Sequence, residues 1–227
     1  MTQSAGTGRQ PFLPSVNGFA FANCWPHVPP LRFRLGGPVP LELGVGDAAF
    51  GLCGGMALAA LDLYQAGIVP ARESEPPAEG SARFRYIARR QLDSFELGLA
   101  PFRFYLLGLP WRSDASRANE VLGRELPRIR RELDAGWPIV LGLVHAVSAN
   151  PAELVRNHQV VATGLEPGPE PGSTAIRVYD PNLPGDDTVR LVISSSGKGG
   201  LRIDYPGGPV AAFFRQGHRE RDPLPWR

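Results

Sequence analysis

Cys53 stands at the junction between a glycine-bearing turn and an unbroken run of helix formers, "FGLCGGMALAALDLYQAG", Phe50 to Gly67. A thiol there can do nucleophilic chemistry. The attacking species is the thiolate, and a helix N-terminus with an imidazolium beside it lowers a cysteine pKa from its free value of about 8.5. Gly51, Gly54 and Gly55 remove side-chain bulk around the sulfur, so a substrate backbone can approach it. Read alone, the stretch is equally a small apolar residue entering a core.

A thiol nucleophile needs a base, and in Cys-His sites the two meet in space rather than in sequence. The chain has four histidines. His158 opens "HQVVATG" at the edge of an expected strand, well placed to face a helix terminus, and His145 at the end of the preceding strand is the reserve. His27 lies in a proline-rich loop and His218 in an arginine-rich tail, so both read as surface residues. A third group must hold the imidazole in one tautomer and orientation. "VYDPN" supplies Asp180 at the end of the next expected strand, with Asn182 two residues on. If the two strands are antiparallel neighbours, His158 and Asp180 fall at the same end of the sheet.

The elements that would position these groups separate along the chain. Residues 1–50 read as an extended N-terminal segment without sustained periodicity. A helical half follows over 51–136: a first helix from Cys53 to Ala66, apolar nearly all round and so buried, stopped by Gly67 with Pro70 beyond. A second runs over Ser81 to Leu97, with Phe84, Ile87, Ala88, Leu92 and Phe95 on one stripe and Arg83, Arg85, Arg89 and Arg90 on the solvated side. A third covers Ser116 to Ala135, kinked or broken at Pro127. A sheet half spans 137–214, with strands expected at 138–146, 158–166, 175–180, 188–193 and 201–205, and a tail closes the chain over 215–227. Helices first and strands second make this α+β, one domain with a helical half packed on an antiparallel sheet.

Composition narrows the function. The 227 residues suffice for one core. A formal net charge of +2 with 20% charged residues gives no electrostatic case for nucleic acid. No apolar run reaches the roughly 18 residues of a membrane span, and the N-terminal stretch lacks a basic region followed by an apolar one, so a cytoplasmic location is the expectation. Two cysteines make no disulfide framework. No Cys/His cluster has zinc spacing and no phosphate-binding glycine motif is present, so no cofactor and no metal are expected. The acidic loop "DPNLPGDD" reads as a solvated turn.

The combination of Cys53 at a buried helix start, "GWPIVLGL" from Gly136, "HQVVATG" from His158 and "VYDPN" from Val178 resembles the papain-like cysteine peptidases, nearest to the bacteriocin-processing peptidases and their relatives. The resemblance spans roughly Gly51 to Asn182. It implies a papain-like fold, with Cys53 as nucleophile, His158 as general base and then acid, and Asp180 as orienter, passing a peptide or amide substrate through an acyl-enzyme. One position departs from the family. Where members commonly carry an oxyanion-donating glutamine six residues before the nucleophile, this chain has Asp47, and an ionised carboxylate donates no hydrogen bond. Asn17 or Asn23 is then the substitute donor, together with the Cys53 N–H. Two other functions use the same residues: acyl transfer to an amine, as in transglutaminase-like or arylamine acyltransferase-like enzymes, and a papain-like module that binds a peptide without cutting it.

Overall fold

The computed structural model describes residues 10–27, 31–35, 41–45, 51–195 and 200–227. Within these, the order is α1 (Pro14–Asn17), β1 (Leu31–Leu35), β2 (Leu41–Val45), α2 (Cys53–Gln65), α3 (Ala82–Asp93), α4 (Leu99–Gly108), α5 (Asp114–Ala118), a π-helical segment (Asn119–Glu125), α6 (Leu126–Asp134), β3 (Ile139–Val144), β4 (His158–Pro167), β5 (Thr174–Tyr179), β6 (Arg190–Ser195), β7 (Leu201–Asp204) and β8 (Ala212–Arg215). Helices and strands are segregated as α+β requires. The strands β3 to β8 form one six-stranded antiparallel sheet in the order β7-β6-β5-β4-β3-β8, and β1 and β2 form a separate antiparallel hairpin. No helix among the described residues is long and apolar enough to cross a membrane.

The centre of the large sheet is buried on both faces, and the alternation of side chains along each strand explains how. Val140, Val161 and Tyr179 point to one side, where they pack with Met56, Leu61 and the N-terminal aromatics Phe12, Phe19, Phe21 and Trp25. Leu141, Val160, Ala162, Ile176 and Val178 point to the other, against Phe104, Val121, Ile129 and Phe214. A strand covered on both faces carries a near-continuous apolar run rather than an alternating one, and "IVLGLV" and "HQVVA" are such runs. Helix α2 lies in the first layer and is buried from Gly54 through Tyr64, as its all-round apolar character requires. Its contact with α3 is close: a Cβ on Gly55 would sit 2.2 Å from the Ile87 carbonyl oxygen.

Several elements depart from expectation, each for a local reason. Residues 1–50 are not wholly extended; they hold α1 and the β1–β2 hairpin, and "LRFRL" has the period-two alternation that marks such a strand. The second helix ends at Asp93 rather than Leu97 because Glu96 and Leu97 adopt positive φ (49° and 58°), and a new helix, α4, restarts at Leu99. The third helical region is divided next to Pro127, as its proline predicts. Pro127 occupies the first turn of α6, where a missing N–H costs nothing, and the preceding seven residues widen into the π-helical segment. Strand β8, in "AAFFR", gives no strand signal strong enough to separate it from the tail.

Arg90 and His218 are the larger corrections, since neither is on a solvated surface. Asp62, fully buried in α2, receives Arg90 Nε at 2.8 Å and Nη2 at 3.2 Å, the Tyr86 hydroxyl at 2.7 Å, His218 Nε2 at 2.9 Å and the Arg221 N–H at 3.0 Å. A carboxylate without water needs such partners, and they come from α3 and from the chain after β8. The tail is thereby docked, with Trp226 against Phe19 and Tyr86. The carboxylate also raises the Tyr86 phenol well above its ordinary range, after the larger effect of burial. Asp62→Ala leaves Arg90 in the core with its Nε and Nη2 stripped of their carboxylate and only Asp93, at 2.9 Å from Nη1, as counter-charge. The expected cost is about 3–5 kcal/mol in urea unfolding, with trypsin cleavage after Arg219 or Arg221 in the still-folded fraction.

Candidate functional site

The start of α2 is held open by groups from elsewhere in the fold. Its N-cap, Leu52, offers no side-chain acceptor, so the first-turn N–H groups must find partners outside the helix. Asn23 Oδ1 accepts from the Leu52 N–H at 2.7 Å, and Gln91 Oε1 on α3 accepts from the Gly55 N–H at 2.8 Å. Cys53, at the first helical position, is half-buried and lines a cleft of about 470 Å³. Gly51 before it has φ +93°, and a Cβ there would lie 2.7 Å from Asn23 Nδ2. Both observations require glycine.

Strand β4 brings His158 to the same cleft. The register that pairs Val161 with Tyr179 carries Asp180, one residue beyond β5, to the His158 end of β4. His158 Nε2 lies 2.6 Å from Asp180 Oδ1. The other ring nitrogen, Nδ1, is then the one left for Cys53, which lines the same cleft and favours the protonated ring. Burial pushes the His158 pKa down, but hydrogen bonds and charge from Asp180 and Cys53 outweigh it and raise the value to about 10. Asp180 itself is 1% exposed. Burial alone would raise its pKa; the bond and charge of His158, the Tyr205 hydroxyl on Oδ2 and the Asn182 N–H on Oδ1 at 2.7 Å together pull it below the ordinary carboxylate range.

Of the residues singled out by sequence, Cys53, His158, Asp180, Asn23 and Asn182 come together. Asn182 does not orient the imidazole. Its Nδ2 is 3.4 Å from His158 Nε2, but both are donors once Nε2–H is committed to Asp180, so the orienting bond belongs to Asp180. Asn182 Oδ1 instead accepts from Asn23 Nδ2 at 3.1 Å. Asn17 lies apart, its Oδ1 accepting the Leu13 N–H within α1, and it does not line the cleft. Asp47 falls outside the described residues. The acidic residues of "DPNLPGDD" beyond Asn182 are engaged locally: Asp186 accepts from Thr188 and Asp187 from Ser15.

Sequence reasoning missed two groups of supporting residues. Tyr205, read only as a strand end, caps the second oxygen of Asp180, and that carboxylate together with burial raises its own phenol pKa above the ordinary range. Behind the cleft, Gln159 Nε2 donates to Gln216 Oε1 at 2.6 Å, the Ser94 hydroxyl donates to Gln159 Oε1 at 3.1 Å and Gln216 Nε2 donates to the Ser94 carbonyl at 3.1 Å. This buried amide cluster packs on Gly54, where a Cβ would lie 1.9 Å from Gln159 Oε1 and 2.4 Å from Ser94 Oγ. Three distant segments thus meet at the residue after Cys53. No motif announces such a cluster, because its members are single polar residues from three segments far apart in sequence.

Gly54→Ala forces the α2 mouth away from β4. It is expected to cost about 1–3 kcal/mol in denaturant unfolding and to lower the His158 pKa, followed by NMR, as the ring loses contact with Cys53. The His158–Asp180 pair also gives a signed pH dependence. Folding raises the imidazole pKa from 6.5 to about 10, so its contribution is complete below pH 6.5 and is lost as pH rises toward 10. The stability gap between the wild type and Asp180→Asn should narrow across that interval, read as unfolding free energy against pH.

What this assembly does has to be argued from its own geometry, since no family model, curated protein or solved structure matches the chain.

Proposed function

We propose that the protein is a cysteine-dependent hydrolase of peptide or amide bonds, built on a papain-like arrangement and working through an acyl-enzyme. The observation that carries this reading is the buried His158–Asp180 pair opening onto the same cleft as the half-buried Cys53, which stands at the mouth of a helix and helps to hold the His158 pKa up. A structural histidine has no need of a thiol on one nitrogen and a buried, hydroxyl-capped carboxylate on the other.

The steps follow from the atoms. Cys53 Sγ attacks the substrate carbonyl carbon while His158, fixed by Asp180, holds the proton on Nδ1. The developing oxyanion sits at the α2 mouth, where the Cys53 N–H points out of the helix. Asn23 Nδ2 is the second donor. Its amide cannot flip, because Oδ1 is held by both the Leu52 N–H and the Trp25 Nε1–H at 2.9 Å, and only one Nδ2 hydrogen is used by Asn182. A side chain thirty residues upstream of Cys53 thereby takes the role that the resemblance would give to the position of Asp47. His158 passes its proton to the leaving amine, and water, deprotonated by the neutral ring, then releases the acid and restores the thiol.

The test is alkylation of Cys53 by iodoacetamide as a function of pH. Rapid labelling at pH 6 that falls at least about tenfold in His158→Ala is expected for a thiolate paired with an imidazolium. Labelling with an ordinary thiol profile in both proteins would retire the hydrolase and leave a peptide-binding module. With p-nitrophenyl acetate as a general acyl donor, Asn23→Ala should slow the nitrophenolate burst by about 100-fold or more, while Asn17→Ala leaves it unchanged.

A further inference from the structure

Among the residues that line the cleft with Cys53 are two charged or titratable side chains that the reaction does not use, His145 and Arg156. His145, at the end of β3, places Nδ1 2.7 Å from the Pro209 carbonyl oxygen. A carbonyl only accepts, so Nδ1 carries the hydrogen, and in the neutral ring Nε2 is a lone-pair acceptor with its tautomer fixed. Burial, and the charges of His158 and Arg156, hold the His145 pKa below its ordinary value, against the Pro209 bond and Asp180, so the ring is neutral near pH 7. Nε2 has no partner among the described residues and is not one of their buried, unpaired atoms; it faces the cleft that the ring lines. The neighbouring ring is His158, with centroids 6.5 Å apart, so this acceptor lies one group away from the reacting atoms.

Arg156 lines the same wall. Its side chain is 67% exposed and only Nη1 is engaged, donating to Glu153 Oε2 at 2.9 Å. A solvent-exposed pair of this kind holds weakly, which leaves the remaining N–H groups for a ligand. Asn157 between them fixes the frame by accepting the N–H groups of His145 and Ala146 at 3.0 and 3.1 Å through Oδ1. The cleft lining therefore includes one group that can only accept, His145 Nε2, and donors in the Arg156 guanidinium and the unpaired Asn157 Nδ2. No carboxylate lines the cleft among the described residues.

The geometry points to an amide-reading subsite: His145 Nε2 accepts the N–H, and the Arg156 guanidinium donates to the C=O, of a neutral carboxamide or peptide unit one residue from the scissile bond. A carboxylate there would face the His145 lone pair, and an ammonium would face Arg156. Both charged groups are disfavoured for opposite reasons. The assignment rests on the hydrolase reading and names its substrate class as acyl donors with an uncharged amide beside the bond that is cut.

Three alkylating probes with one warhead test it: N-chloroacetyl-glycinamide, N-chloroacetyl-glycine and N-chloroacetyl-ethylenediamine. In each, Sγ forms a bond to the methylene carbon and chloride leaves, so only the tail differs. At pH 7.5 the glycinamide probe should label Cys53 about tenfold faster than either charged probe, a ratio worth about 1.4 kcal/mol. His145→Leu and the surface variant Arg156→Gln should each shrink that preference to about threefold or less. Equal rates for the three probes in the wild type would overturn the subsite while leaving the reactive thiol in place, and so would a lead for the carboxylate or ammonium probe. If no probe labels Cys53 in the folded protein although all do so in urea, the hydrolase reading falls and the subsite with it.

Discussion

A carboxylate and an imidazole buried against each other, Asp180 and His158 at 2.6 Å, set the constraint that the surrounding architecture meets. Neither group can be left without partners once water is excluded. The sheet places them together because β4 and β5 are antiparallel neighbours whose register brings the end of one to the start of the other. The remaining lone pairs and protons are then satisfied from three other places: the Tyr205 hydroxyl beyond β7, the Asn182 N–H in the following turn, and Cys53 at the head of α2. The last of these is the thiol, and it lines the cleft.

Helix α2 is held at both ends by polar contacts, which is unusual for an element with so apolar a sequence. At its mouth, Asn23 and Gln91 take N–H groups while Gly54 and Gly55 allow Gln159 and the backbone of α3 to approach within contact distance. Two turns on, Asp62 gathers Arg90, Tyr86, His218 and Arg221. Buried ion pairs of this kind contribute little net stability compared with an apolar core, but they penalise any arrangement that separates the partners. Here they fix the axial position of the helix. The tail that leaves β8 contributes to both anchors, Gln216 to the amide cluster under Gly54 and His218 to Asp62, so the last residues of the chain help to place Cys53.

Much of this is legible in the sequence where a single physical rule dominates. The apolar run after Cys53 reads as a buried helix and the runs "IVLGLV" and "HQVVA" as strands; antiparallel pairing of the second with the strand that ends at Asp180 is the further condition that brings His158 and Asp180 to one end of the sheet. What sequence hides is pairwise. Arg90 has the spacing of a solvated arginine, and only the presence of Asp62 one helix away, itself camouflaged in an apolar run, turns it inward. Asn23 and Tyr205 have no neighbours in sequence that reveal their bonds. The break at Glu96 and Leu97 arises from positive φ at non-glycine residues, which local propensity argues against. The α+β class and the strand positions belong to the first kind of information and the supporting residues of the site to the second.

Charge balance explains why so many neutral donors crowd the site. In the hydrolase we propose, an imidazolium between a thiolate and a carboxylate would leave one negative charge in excess at the site. No cation among the described residues is placed to cancel it directly: Arg156 is paired with Glu153, and Arg90 is committed to Asp62. The excess is spread over dipoles instead, namely the Tyr205 hydroxyl and Asn182 N–H at the carboxylate end and the first turn of α2 at the sulfur end. Dipoles of this kind do not leave with the proton. In the proposed cycle, once sulfur is acylated and its charge is gone, the hydroxyl and N–H groups would still hold Asp180 ionised, and Asp180 would still orient the ring for the water that follows. An arginine in their place would neutralise the carboxylate in the resting state and weaken its hold on His158. Fixed neutral donors are thus the arrangement that would keep one orientation of the imidazole through both halves of the proposed acyl-enzyme cycle.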